Sequence, residues 1–359
     1  MDVPKSEECK GGLFTTDIAH AANSEFSKAQ TREALMPLWK YPIADCDVYD
    51  REKLVAYRAC AASWHDLLFG DEQHAIGIQF NDMMWQDAAW RVANEARRFT
   101  SEDGPTAAIA PILGAMLDRG YVAGQVIAIS RLLEQSDPKH PKKGVVSLKR
   151  LVSEIRSQRT TLTREIYVSH DALPYDWEAV RESEDWTCEV EARWLATDGP
   201  NAWATAMGQH ETFDKLSGVR PDARKRDDLI DEAILDRLEN NLTDPVFQEV
   251  LNLRHKIIAH AADSFSRSQI NDLRRGLKLD EFARAHYLLL GVYQAISATL
   301  LFGQWIGTVV PVSQSDQFIH LDAAFVVSTR LPHLRTFWKE HCEERDGWLT
   351  DAFKEIIPL

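Results

Sequence analysis

The segment Leu253-Arg254-His255-Lys256-Ile257-Ile258-Ala259-His260 holds the most compact set of groups in this chain for handling a phosphate and a proton. Arg254 offers a planar fork of donors that stays charged at any working pH and matches phosphate oxygens two at a time. His255 and His260 carry imidazoles, whose ordinary pKa lies near neutrality, so either can take up or give back a proton.

The surrounding residues predict a helix that must position these groups. Thr243 or Asp244 is a suitable N-cap, and Pro245 fits the first helical position, where its missing N–H costs nothing. Val246, Phe247, Val250, Leu251, Leu253, Ile257, Ile258 and Ala261 then recur with amphipathic spacing. At roughly 100° per residue, Arg254 falls in the middle of the apolar arc, His255 and His260 on its two borders, and Lys256 outside it. A permanently charged group on an apolar face needs an anion, hydrogen-bond partners or a wet cleft. Two readings follow. Arg254 is either ion-paired to a carboxylate on a neighbouring helix, or it faces a cleft or second subunit where a phosphate can reach it. A strict helix sets Arg254 and His260 about 120° apart. Arginine reach, local helix distortion or a partner protomer must therefore bring them to one phosphate.

The rest of the chain reads as all-α. Helices are predicted over 50–69, 71–99, 107–117, 122–134, 145–170, 177–197, 202–216, 226–241, 244–262 and 279–306, with two more within 321–357. Gly and Pro punctuate the pattern, and no run alternates in the manner of a strand. The expected organisation is an N-terminal arm over 1–42, a helical domain over 43–310 and a helical extension over 311–359. The stretch from Tyr287 to Ser315 lacks charged residues and is long enough to span a membrane. Gln294, Ser297, Thr299 and Gln304 interrupt it, so a fully buried central helix is the better reading, and no membrane partner is expected.

Composition sets further bounds. The chain has 359 residues, 45% of them apolar, with a formal net charge of −14. That charge opposes tight non-specific binding to nucleic acid, which depends on neutralising phosphates. A local basic concentration runs against the trend. If 144–168 is one helix, Lys149, Arg150, Arg156 and Arg159 form a basic stripe that could guide RNA, or simply a solvated face. A second cluster, Arg220 to Arg226, reads as a charged loop. Trp85 and Trp90 are candidates to stack a base. Cys9, Cys46, Cys60, Cys188 and Cys342 are widely spaced and odd in number, which suits reduced thiols and a cytoplasmic setting. No zinc pattern, phosphate loop or dinucleotide fingerprint is present, so no metal or cofactor is expected.

The run Arg254-His255 with His260 resembles the signature of the HEPN superfamily, an arginine and a polar residue followed by histidine after a short helical interval. The wording Leu-Arg-His-Lys-Ile-Ile-Ala-His is most similar to HEPN proteins of abortive-infection systems. Val126–Leu133, Ser147–Leu151 and the helix from Trp85 to Arg98 are similar to their upstream halves. The resemblance implies a HEPN-like helical bundle that forms a homodimer, with two copies of the motif lining one cleft. It implies a metal-independent endoribonuclease that leaves a 2′,3′-cyclic phosphate and a 5′-OH. Arg254 would stabilise the phosphorane, His260 would act as acid or base, and His255 would assist. An antitoxin or other regulatory protein is an implied partner. Many toxins of this superfamily carry tyrosine two residues after the histidine, where this chain has Ala262, so regulation by modification there is not implied. Some HEPN domains serve only as dimerisation scaffolds, which is the alternative.

Overall fold

The computed structural model describes residues 38–70, 73–102, 111–137, 139–140, 144–183, 195–258, 277–301, 309–310 and 328–356. Among these residues the fold is all-α. The α-helices are α1 (Arg51–His65), α2 (Ile76–Glu102), α3 (Pro111–Leu132), α4 (Leu148–Ser157), α5 (Arg164–Ser169), α6 (Trp177–Ser183), α7 (Trp203–Ser217), α8 (Glu232–Asn241), α9 (Pro245–Leu253), α10 (Leu279–Gln294) and α11 (Leu331–Ile356). Extended pairing among them is limited to an isolated bridge between Thr163 and Leu229. The chain divides into two compact units, one built from Met1–Trp90 and Ala115–Val310, the other from Arg91–Gly114 and Pro311–Leu359.

Local chemistry sets the helix starts. The side chain of Asp50 accepts from the Lys53 N–H at the start of α1, Ser147 from Arg150 at α4, Thr163 from Ile166 at α5, Asp231 from Ala233 at α8, and Asp244 from Val246 at α9. Each cap precedes a stripe that enters the core. Leu54, Tyr57, Ala61 and Trp64 of α1 are buried, as are Leu148, Leu151, Val152 and Ile155 of α4, and Val246, Phe247, Val250 and Leu253 of α9. The first unit closes around these side chains with Phe282, Leu289, Val292 and Ile296.

The structure corrects several expected boundaries. The predicted helix over 145–170 is broken: α4 stops at Ser157, Arg159–Thr161 form a 3₁₀ turn, and Thr163 starts α5 afresh. Hydroxyls explain the break. Ser157 Oγ donates to the Glu154 carbonyl and Thr161 Oγ1 to that of Gln158, both at 2.7 Å, offering the backbone an alternative to helical continuation. Conversely, the two helices expected over 107–117 and 122–134 are one, α3, which runs through Gly120. One interior glycine weakens a helix by about 1 kcal/mol without ending it. The apolar stretch after Tyr287 is not fully buried. Phe282, Leu289 and Val292 of α10 face the core, whereas Tyr287 is 71% exposed. Among the described residues no helix is long and apolar enough to cross a membrane.

Among the described residues, α1, α9 and α10 each pass into a wider π-helical turn, Asp66–Gly70, Arg254–Ile258 and Ala295–Leu300 respectively. Such turns are rare and are frequently found at functional sites. In the last of them, the Thr299 carbonyl accepts a hydrogen bond from Tyr167 Oη at 2.6 Å.

Candidate functional site

Asp244 fixes the start of α9 twice, by capping the Val246 N–H and by accepting from Arg284 Nη2 of α10 at 2.9 Å. The buried stripe of α9 then anchors the helix as far as Leu253. The next residue is Arg254, where the α-helix gives way to the π-helical turn. A helix distortion therefore begins at the arginine of the motif and runs to Ile258.

Arg254 Nη2 lies 2.7 Å from Glu134 Oε1, and the two side chains are 30% and 34% exposed. Glu134 follows the end of α3 and is tied down through its backbone, since Ser147 Oγ donates to its carbonyl. The same hydroxyl oxygen caps α4 by accepting from the Arg150 N–H. One serine thus links the end of α3, the start of α4 and the carboxylate that holds Arg254. His255 is exposed and Lys256 half-buried. His260 and Ala262 lie outside the described residues.

A second arginine shows what structural use of this side chain looks like here. Arg164 at the start of α5 is wholly buried. Its Nη1 lies 2.7 Å from Asp214 and its Nε 2.8 Å from Asp228. Nη1 also donates to the His210 carbonyl and Nη2 to Ser217 Oγ, and the guanidinium lies 4.9 Å over the Phe213 ring. Burial pushes the Asp214 carboxyl up, but hydrogen bonds from Arg224 and Arg164 hold it below its usual range. The cluster Arg220 to Arg226 is correspondingly not a simple charged loop. Arg224 pairs with Asp214 at 2.6 Å, and Arg226 pairs with Glu165 at 2.8 Å while sandwiched between the rings of Tyr49 and Tyr175.

The stripe proposed to guide RNA is also engaged within the fold. Arg156 reaches Glu232, Asp236 and Glu239 of α8 at 3.1, 2.8 and 2.9 Å. Arg159 pairs with Glu232 at 3.3 Å and donates to the Ile230 carbonyl at 2.6 Å. Arg150 pairs with Glu154 on its own helix at 2.7 Å, and Lys149 is half-buried. Arg156 and Arg159 therefore clamp α4 and its following turn to α8, where acidic residues offset their charge. Trp90 is likewise committed: it stacks on Tyr121 with centroids 4.1 Å apart and donates to Asp118 at 3.1 Å, whereas Trp85 is 39% exposed.

Among the described residues, no group of three or more His, Cys, Asp or Glu side chains is arranged to hold a metal ion. A cavity of about 210 Å³ lies beside α1, lined by Trp39, Tyr57, His65, His170, Asp171 and Leu301. Its polar groups are largely occupied by the chain itself. Asp171 accepts from the backbone N–H groups of Lys40 and Tyr41, and His170 Nδ1 donates to the Tyr167 carbonyl at 3.0 Å. Burial lowers the His170 pKa to about 4, so its ring is neutral at physiological pH.

The sequence singled out Arg254 but not Glu134, its partner, which carries no motif. The only available signal was the need of an apolar-face guanidinium for an anion. No family model, curated protein or solved structure matches this chain. The likeness to HEPN proteins therefore rests on the sequence alone.

Proposed function

We propose that this chain is a metal-independent endoribonuclease of an abortive-infection or toxin–antitoxin system, acting as a homodimer with Arg254 and His260 as its essential pair. The observation that carries the reading is the contrast between two arginines. Arg164 is sealed in the core by two carboxylates, whereas Arg254 is part-exposed, held by Glu134 and set at the start of a π-helical turn. A phosphate can compete for a guanidinium held in that way, because a part-exposed ion pair is worth at most about 1 kcal/mol.

The reaction follows from these groups. The ribose 2′-oxygen attacks the adjacent phosphorus, its proton passing to His260 or, in the partner's copy of the motif, to the equivalent imidazole. Charge grows on the equatorial phosphate oxygens, where Arg254 leaves Glu134 and donates two parallel hydrogen bonds. The bond from phosphorus to the 5′-oxygen breaks, and an imidazolium supplies the proton that oxygen needs. A 2′,3′-cyclic phosphate and a 5′-OH result. His255, exposed beside Arg254, assists proton transfer or orients the RNA. Since the bulk charge is −14 and Arg156 and Arg159 are engaged with α8, substrate selection rests on contacts near Arg254.

The Glu134 ion pair favours a second reading, a HEPN-like scaffold in which Arg254 only joins α9 to the end of α3. Incubating wild-type protein and the Arg254→Ala and His260→Ala variants with total RNA in EDTA separates the two. Cleavage by wild type alone, with cyclic phosphate ends, is the expected outcome. A folded, dimeric wild-type protein that leaves RNA intact, with or without divalent ions, would point to the scaffold.

A further inference from the structure

Every residue from Ser328 to Glu340 is exposed, although this stretch opens a helix of 26 residues. Leu331, Leu334 and Trp338 are 41, 44 and 60% exposed. Their spacing of three and then four residues sets them within about 60° of one another around the helix. Cys342 extends the same row and is half-buried. Pro332 suits the first turn of α11. Gly347 in its interior weakens it by about 1 kcal/mol. Most helical stability in proteins comes from packing an apolar face, and the row on the first half of α11 is left largely open to water.

The charges along α11 indicate what covers that face. From Arg330 to Lys339 there are three positive charges, Arg330, Arg335 and Lys339, and no carboxylate. From Glu340 to Ile356 there are six carboxylates, among them Asp351 and Glu355, against Arg345 and Lys354. The helix is thus basic in its first half and acidic in its second. A second copy laid antiparallel matches basic half to acidic half at both ends, as two-fold symmetry requires. A parallel copy would oppose like charges along the whole length. The antiparallel arrangement also opposes the helix dipoles favourably. Spacings of three, four and four residues keep the row on one face of the helix, and flanking charges set orientation in helix pairs.

We propose that α11 is a self-association element that pairs antiparallel with α11 of a second copy of this chain, the row Leu331, Leu334, Trp338 and Cys342 of each copy lying against the second half of the other's helix. The pairing uses residues other than those of the cleft proposed around Arg254 and does not depend on ribonuclease activity.

Sedimentation velocity of the full chain over a concentration series tests it. Leu334→Glu with Trp338→Glu is expected to weaken self-association by about ten-fold or more while far-UV circular dichroism and thermal unfolding of the remainder are retained. Arg335→Glu with Lys339→Glu should also weaken it. Adding Asp351→Lys and Glu355→Lys to that variant should restore it, which only an antiparallel pair predicts. A wild-type chain that stays monomeric throughout overturns the proposal. So does an association unchanged by the Leu334 and Trp338 substitutions, which would assign the dimer to another surface. Failure of the charge exchange to restore association would overturn the antiparallel pairing.

Discussion

Two arginines of opposite character occupy this fold, and their surroundings predict opposite responses to truncation. Arg164 lies in the core with Asp214 and Asp228, so removing its side chain deprives Asp228 of its guanidinium and leaves Asp214 with Arg224 alone. Breaking a buried network in this way costs on the order of 3–5 kcal/mol. Arg254 and Glu134 are each about one-third exposed, and water screens the loss. Arg254→Ala is therefore expected to lower stability by about 1 kcal/mol or less. Urea unfolding of the two variants checks the pair of values. An Arg254→Ala cost equal to that of Arg164→Ala would show that Arg254 is held structurally after all. The sequence could identify Arg254 as an arginine needing an anion, but Glu134 becomes its partner only through Ser147, which joins the end of α3 to the start of α4.

At the scale of the helices, caps and apolar stripes were legible, whereas continuity was not. Asp244 and Pro245 marked the start of α9 in the sequence and do so in the structure. The region after Ser147 showed an unbroken helical pattern, yet its hydroxyl residues divide it, and Arg164 leaves the helix face to enter the core. Gly120 had the opposite effect on the reading, suggesting a boundary where α3 simply continues. A Cβ built on Gly120 meets nothing within 4 Å. Gly120→Ala is accordingly expected to stabilise the protein by about 0.4–1 kcal/mol, by restricting the unfolded chain at a helical position. A rise in the denaturant midpoint with an unchanged slope is the predicted signature. A fall would mean that the position is more crowded than its surroundings indicate.

For the molecule as a whole, His170 and His210 contribute to the expected response to acid. Burial lowers His170 and His210 from 6.5 to about 4, opposed in each case by a hydrogen bond to a backbone carbonyl. Nε2 of His210 faces the Tyr175 carbonyl at 2.9 Å and so carries the ring proton. Well above pH 6.5 both rings are neutral in the folded and unfolded chains, and they contribute no pH dependence. As pH falls from 6.5 towards 4, the unfolded chain binds protons that the folded chain refuses, and stability is lost across that window. For His170 the full loss is roughly 3 kcal/mol. Unfolding midpoints measured between about pH 7 and pH 4 should fall accordingly, and the His170 ring signals should not titrate near 6.5 by NMR. A ring that did titrate there would have access to water.

Read alone, the sequence determined the all-α class, several helix starts, the apolar rows that enter the core and the arginine–histidine motif. Those properties are local: period, caps and breakers act within a turn or two of the residues that encode them. The tertiary structure alone decided which charges are spent on the fold. Arg156 and Arg159 read as a basic stripe until α8 brings Glu232, Asp236 and Glu239 against them. Arg254 read as either buried or open until Glu134 supplied one part-exposed partner. The physical reason is that the state of a charge depends on its distance to other charges and to water, and folding sets both between residues far apart in the chain.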